Sequence, residues 1–195
     1  TFPDPQGFMA QLDAMGFQRV PIVEPAITVF DPWWQTLAQA GHFVTDGASG
    51  APLITPIFLG DVSWVDFTKT PARLAFSQKL ADFAALGISG VWADLNEPAA
   101  NQMDRARYDW DGQPRGDATS RNAFALQETA LFQQTLQSTF PAQRPFVLSR
   151  AGLLGIQRHG GGGAEAEEVD LPGLDQKVHG ATDQIGIKGL AGAVQ

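Results

Sequence analysis

Two helical segments, each followed by a short apolar run, constrain the fold of this 195-residue chain most. The first helix is predicted from Thr70 to Gly87, with Phe76, Leu80 and Phe83 on one face, and "ISGVWA" follows it as a buried strand. A second helix is predicted over residues 120–137, and "PFVLS" follows it as another strand that ends at Arg150. Helices that alternate with short strands through short connections predict an α/β fold with a parallel sheet.

The remaining segments complete this outline. "DPQGFMAQLDAMGF" predicts an N-terminal helix that starts at Asp4-Pro5, and the residues around Ile22 predict a third strand, although Pro21 removes one ladder donor. Residues 41–70 and 101–118 are rich in polar and turn-forming residues, so we expect loops on the carboxyl side of the strands. The segment 160–195 is rich in glycine and acids, and we expect weak order over 160–172.

Composition excludes several classes of function. The net charge is −8 and no Lys/Arg cluster occurs, which argues against nucleic-acid and anionic-membrane partners because both require a basic surface. No apolar run approaches the roughly 20 residues that span a membrane. The chain has no cysteine, and its three histidines, at 42, 159 and 179, are scattered, so neither a thiolate metal site nor a histidine-based triad is indicated.

Charged residues stand at the ends of the predicted strands: Glu24, Asp94, Glu97 and Arg150. The carboxyl ends of parallel strands gather at one edge, where ligands bind. A carboxylate held rigidly there suits nucleophilic attack on a sugar carbon, and a nearby arginine could bind hydroxyl groups. On pattern alone, however, "ADLNEP" is more typical of a turn in which Asp and Asn bond backbone amides. A metal site on Asp94 and Glu97 would need further oxygen ligands that the spacing does not supply.

Five segments in order over residues 1–159 change this balance: "TFPDPQGFMAQLDAMGF", "VPIVEPAI", "VDFTKTPAR", "GVWADLNEP" and "RPFVLSRAGLLGIQRH". Together they resemble the barrel of glycoside hydrolase family 31, the family of α-glucosidases and α-xylosidases. The resemblance implies a partial TIM (β/α)8 barrel, roughly strands three to six of the eight, over residues 1–159. Residues 160–195 would then be a diverged or poorly ordered Gly/acid-rich tail.

The resemblance also implies roles at matched positions. Asp94 would be the nucleophile of a retaining α-glycoside hydrolase and would form a covalent glycosyl-enzyme, with Glu97 in support. A carbohydrate substrate would contact a pocket lined by Trp92, Leu95, Arg150, Ile27 and Trp64. The resemblance implies no metal and no cofactor.

The sequence departs from the family pattern in one important place. The family's general acid lies in a Trp-x-Gly-Asp motif beyond the Arg158-His159 step, where this chain reads "GGGGAEAEEVD". Three hypotheses therefore stay open: part of a retaining α-glycosidase, a carbohydrate-binding or catalytically impaired fragment, and a relative that performs transglycosylation or lyase chemistry. A partial barrel would also leave sheet edges and apolar faces uncovered, so we expect self-association.

Overall fold

The computed structural model describes residues 3–162. Its helices are α1 (Pro5–Ala14), α2 (Pro32–Gln39), α3 (Thr70–Ala84) and α4 (Asp117–Thr139), with short 3-10 turns at Met103–Arg105 and Ile156–Arg158. Its strands are β1 (Ile22–Val23), β2 (Ala26–Thr28), β3 (Thr45–Asp46), β4 (Ile54–Ile57), β5 (Gly60–Trp64), β6 (Gly90–Ala93), β7 (Ala106–Tyr108), β8 (Arg115–Gly116), β9 (Phe146–Ser149) and β10 (Gly161–Gly162).

A four-stranded parallel sheet forms the frame, in the order β1-β6-β9-β10. Its first three strands are the three that the sequence predicts, and α3 and α4 are the helices that precede β6 and β9. Gly90 lets β6 and β9 approach closely, since a Cβ there would lie 2.4 Å from the Phe146 carbonyl oxygen. This arrangement confirms the predicted α/β class with parallel strands and places the carboxyl ends of β1, β6 and β9 side by side.

The two segments predicted as loops contain further strands. Residues 41–70 include the antiparallel pair β4 and β5, whose turn closes at Gly60 with φ +99°, and β2 pairs with the other edge of β5. Residues 101–118 include β7 and β8, which form a small antiparallel sheet with β3. The prediction of three strands in all was therefore wrong. Two- and three-residue strands carry too little hydrophobic periodicity to be seen in a sequence.

The core is built from phenylalanines of α3, α4 and the segment between β5 and α3. Phe67 lies 5.1 Å from Phe76 and 5.2 Å from Phe124 between ring centroids, both edge to face, and Phe76 stacks on Phe132 at 5.8 Å. Edge-to-face and offset pairs of this kind are the favoured aromatic geometries. The cluster joins α3 to α4, and α4 also packs on β6 and β9.

Two expectations concern the margins of the described region. Gly161–Gly162, which lie in the segment expected to be weakly ordered, pair in parallel with Leu148 and Ser149 of β9, and residues 163–195 lie outside the described residues. Large apolar side chains are exposed at Phe30 and Phe58, where self-association stays a prediction. Over residues 3–162, no helix has the length and apolarity that a membrane crossing demands.

Candidate active site

The strand ends place three charged residues next to one another. Val23 pairs with Ala93 and Ala93 pairs with Ser149, so Glu24, Asp94 and Arg150 occupy the next position on three adjacent strands. The ladder continues one residue further, because the Asp94 N–H donates to the Val23 carbonyl at 3.1 Å and the Arg150 N–H donates to the Ala93 carbonyl at 2.9 Å. Backbone hydrogen bonds on both sides therefore hold Asp94 rigidly, as a reacting group requires.

Arg150 ties the acidic residues together. Its Nη1 lies 3.2 Å from Asp94 Oδ1, while its Nε donates to Glu97 Oε2 at 3.2 Å and its Nη2 contacts Glu97 Oε1. The pairing with Glu97 is thus bidentate, a geometry that fixes a guanidinium in place. The Asp94 and Arg150 side chains are 18% and 20% exposed, so the site opens to solvent.

Asp94 uses only one of its carboxylate oxygens in these contacts. Oδ1 accepts the Leu95 N–H at 2.8 Å and is the Asp94 oxygen nearest to Arg150, whereas Oδ2 accepts no hydrogen bond within residues 3–162. Leu95 adopts a left-handed conformation, φ +54°, which is unfavourable for a side chain with a Cβ and is typical of functional turns. The turn thereby leaves one oxygen of Asp94 available to a ligand.

Asn96 is the structural member of this turn. It is fully buried, its Oδ1 accepts the Ala151 N–H at 3.0 Å, and its Nδ2 donates to Ser149 Oγ at 2.7 Å. These bonds join the turn after β6 to the turn after β9. The interpretation of "ADLNEP" as a turn in which Asp and Asn bond backbone amides is therefore correct for both Asn96 and Asp94, and Asp94 and Glu97 in addition pair with Arg150.

Glu24 has a different electrostatic environment from the other acids. Burial raises the pKa of its carboxyl above the ordinary value, the negative charge of Asp94 raises it further, and Arg150 acts in the opposite direction. Glu24 therefore binds a proton more readily than an exposed glutamate does.

The remaining predicted pocket residues lie in three settings. Trp92 is half-buried on β6 and, by strand alternation, shares its face with Asp94. Ile27 is half-buried on β2, and Leu95 is nearly buried within the turn. Trp64 is fully enclosed in the core, where its Nε1 donates to Thr55 Oγ1 at 2.8 Å. Such burial gives no support to the prediction that Trp64 lines a sugar pocket.

Sequence reasoning missed Glu128, which lies in the middle of α4 and is fully buried. The signal that could have found it is its spacing, because Phe124, Glu128 and Phe132 recur every four residues on the buried face of the helix. A carboxyl inside such a stripe is unusual and requires an explanation.

Metal binding has no support in this part of the chain. No group of three His, Asp or Glu side chains among residues 3–162 is arranged to hold a metal ion.

Parallel strands, preceding helices and a polar site at the carboxyl edge define a segment of a β/α barrel. The chain belongs to glycosyl hydrolase family 31, because the model of that family's TIM-barrel domain matches residues 1–185.

Individual relatives agree with this membership. The chain is 29% identical over 166 residues to alpha-glucosidase 2 from Bacillus thermoamyloliquefaciens, a match covering 81% of this chain and 21% of that protein. A family 31 dextranase from Flavobacterium johnsoniae, solved with glucose, superposes with a TM-score of 0.76 at 22% identity, covering 83% of this chain and 20% of that one. A family 31 alpha-xylosidase from a soil metagenome, solved with xylose, superposes with a TM-score of 0.71 at 21% identity, and the match covers 82% of this chain and 23% of that one. The chain thus spans about a fifth of the length of these relatives.

Proposed function

We propose that this chain is the nucleophile-bearing part of a retaining α-glycosidase barrel, with Asp94 as the nucleophile and an α-glucoside or related sugar as the substrate. The observation that carries the proposal is the turn after β6, which fixes Asp94 by backbone bonds and leaves Oδ2 without a hydrogen bond within residues 3–162. Family membership and the alpha-glucosidase named among the relatives support the reaction class.

The proposed chemistry follows from this geometry. Oδ2 of Asp94 attacks the anomeric carbon, the bond from that carbon to the leaving oxygen breaks, and the leaving oxygen takes a proton from an acid. Water then attacks the glycosyl-enzyme and restores the Asp94 carboxylate with net retention. Arg150 holds Oδ1 at 3.2 Å and so orients the second oxygen, and Glu97 fixes Arg150 through its bidentate contact.

The sugar would lie over the carboxyl ends of β1 and β6. Trp92 shares the strand face of Asp94 and offers an apolar ring to a sugar face, while Ile27 and Leu95 would supply further apolar contact. Arg150 is part-exposed and lies 3.2 Å from Asp94, so its guanidinium would be within reach of a hydroxyl group of a sugar bound at Asp94.

A second candidate function is carbohydrate binding with impaired hydrolysis. The observation in its favour is the sequence after Arg158-His159, which lacks the Trp-x-Gly-Asp motif of the general acid. Without a placed acid, hydrolysis of a glycoside with a poor leaving group would slow by roughly 10²–10⁴-fold. Binding to Arg150 and Trp92 would be unaffected by that loss.

The first experiment tests the nucleophile without requiring a general acid. The chain is incubated with 5-fluoro-α-glucosyl fluoride, whose leaving group needs little protonation, and is examined by intact mass spectrometry and peptide mapping. We expect one fluoroglucosyl group on the peptide that contains Asp94, in the wild type and in an Asp104→Asn control, whose carboxyl is exposed and outside the site. An adduct on another peptide would contradict the assignment.

Binding tests the second candidate. Binding of an uncharged sugar mimic should weaken by roughly 10–100-fold in Arg150→Ala, because the hydrogen bond from the charged guanidinium to a hydroxyl group is lost. Binding without an adduct would favour the carbohydrate-binding function. A folded protein that gives neither adduct nor binding would exclude both functions for this chain.

A further inference from the structure

Glu128 presents a physical problem that the proposed reaction does not use. Its side chain is fully buried in α4, and neither carboxyl oxygen has a hydrogen bond of acceptable geometry within residues 3–162. The residues one turn before and after it, Phe124 and Phe132, are also fully buried. A carboxyl enclosed in this way costs free energy unless a nearby polar group compensates for the lost water.

The groups that act on Glu128 all belong to one turn. The amide of Asn96 interacts with its carboxyl, and the charges of Glu97 and Asp94 also act on it. The Glu128 carboxyl is therefore buried beneath the turn after β6. α4 packs directly on both β6 and β9, which brings Glu128 to this position.

Asn96 has the hydrogen-bonding capacity to meet Glu128. Its Oδ1 accepts the Ala151 N–H, and one of its two Nδ2 hydrogens goes to Ser149 Oγ. The second Nδ2 hydrogen has no acceptor among these bonds, and a buried amide hydrogen needs one. The Glu128 carboxyl interacts with this amide, and its oxygens have no other hydrogen-bond partner within residues 3–162, which makes it the candidate acceptor.

We propose that Glu128 is a positioning residue for Asp94: its carboxyl supports the Asn96 amide from behind, and Asn96 in turn holds the 94–97 turn in the conformation that presents Asp94. This inference rests on the proposed function for the role of Asp94, but the support given to Asn96 can be measured separately.

The protonation state of Glu128 fits this role. Burial raises the pKa of its carboxyl well above the ordinary value, and the negative charges of Glu97 and Asp94 raise it further, while only the Asn96 amide acts in the opposite direction. A neutral carboxyl can accept the Asn96 hydrogen without placing another negative charge behind Asp94. Glutamine has nearly the same shape and also accepts through a carbonyl oxygen, so it should replace glutamate here.

Two substitutions and one control test the proposal in the full chain. Glu128→Gln keeps the acceptor, Glu128→Leu removes it at similar volume, and Thr135→Val removes a buried polar group of the same helix that bonds Ser77 instead. The first readout is hydrogen exchange of the Asn96 side-chain amide by NMR. We expect exchange to accelerate by roughly tenfold or more in Glu128→Leu and to stay near the wild-type rate in Glu128→Gln and Thr135→Val.

The second readout is the rate of adduct formation on Asp94 with 5-fluoro-α-glucosyl fluoride. A small displacement of a reacting group lowers the reaction rate by up to about 10²-fold. We therefore expect adduct formation to be roughly 10–100-fold slower in Glu128→Leu and within about threefold of the wild-type rate in Glu128→Gln and Thr135→Val. A folded Glu128→Leu with unchanged exchange and unchanged rate would overturn the proposal. So would a Glu128→Gln variant that loses Asn96 protection, which settles the matter even if Glu128→Leu does not fold.

The two readouts also separate the two proposals. If the wild type forms no adduct while Asn96 exchange still depends on Glu128 as expected, Asp94 is not a nucleophile in this chain, but the support of the turn by Glu128 stands.

Discussion

Two clusters of carboxylates in this molecule differ in what their oxygens bind. In the cluster at the start of α3, Asp66 accepts the Thr68 N–H at 3.0 Å, the Thr68 hydroxyl at 2.6 Å and the Asp109 N–H at 2.7 Å. Asp111 accepts the Thr70 N–H and hydroxyl, both at 2.7 Å, and thereby caps α3. These carboxylates satisfy backbone donors and hold loops together.

The cluster after β6 is arranged differently. Asp94 accepts a single backbone N–H, from the next residue, and within residues 3–162 the hydrogen bonds and ion pair of Glu97 are formed with Arg150. Oxygens left without local donors can bind a ligand, whereas oxygens committed to the backbone cannot. The comparison teaches that the local hydrogen-bond partners of a carboxylate distinguish a reacting group from a structural one, even where both stand at the ends of strands.

The largest expected effect is a loss of activity on mutation in the cluster after β6, which would distinguish it from the cluster at the start of α3. Asp94→Asn should lower the rate of glycoside cleavage by on the order of 10⁴-fold or more, because the nucleophile is lost, while leaving the backbone bonds of the turn intact. Urea unfolding should show a nearly unchanged free energy of unfolding. Activity comparable to wild type in this variant would show that Asp94 belongs with the structural carboxylates.

Mutation of a carboxylate in the cluster at the start of α3 should instead lower stability. Asp66→Ala removes the acceptor of three donors in a side chain that is 1% exposed, and we expect a loss of about 3 kcal/mol in the free energy of unfolding. The remaining folded protein should form the Asp94 adduct at a rate close to wild type. A large fall in that rate with unchanged stability would place Asp66 in the reaction and remove the distinction between the clusters.

How far the sequence alone reaches can be judged from these same residues. The adjacency of Glu24, Asp94 and Arg150 was predictable, because parallel strands in register bring their carboxyl ends together. The strand β6 was also visible, since four apolar or small residues between two turn signals are a strong pattern. The β4–β5 pair was not, because "ITPI" contains a proline and exposes alternate residues, and its pairing depends on β2 and on contacts far along the chain.

The proximity of Asn96 and Glu128 could not be predicted from the sequence either. Asn96 and Glu128 lie 32 positions apart, and nothing local in either segment indicates the other. The sugar contact of Trp64, which the family resemblance implied, stays a prediction, and the structure encloses this side chain against Thr55. Local patterns predict which groups reach an edge, but burial of a particular side chain depends on the whole fold.

A change of pH should distinguish Glu128 from the structural carboxylates. Its pKa in the folded protein is raised, so the folded state keeps a proton that the unfolded state releases, and stability falls as pH rises above the unfolded value. Each pH unit over which the two states differ by one proton changes stability by at most about 1.4 kcal/mol, so unfolding should be compared at pH 5 and pH 6.5. Glu128→Gln should remove this fall, as measured by urea unfolding of both proteins at the two pH values. Parallel slopes would show that Glu128 is already ionised at pH 5.

The smallest expected effect lies at the exposed cap of α3. The hydrogen bonds from Thr70 lower the pKa of Asp111, and Arg73 and Lys69 contribute in the same direction. A lowered pKa stabilises the protein above the unfolded value, and this stabilisation disappears as pH falls through the folded value. Asp111→Gly, which suits the left-handed φ of +52° at this position, should therefore lower the urea midpoint slightly at pH 7 and by a smaller amount at pH 2.5. Asp111→Asn is the matched control, because it keeps an acceptor for the Thr70 N–H. A difference between Asp111→Gly and wild type that persisted undiminished at pH 2.5 would mean that the ionised carboxylate is not what caps the helix, and the cluster at α3 would then be held by its loop backbone instead.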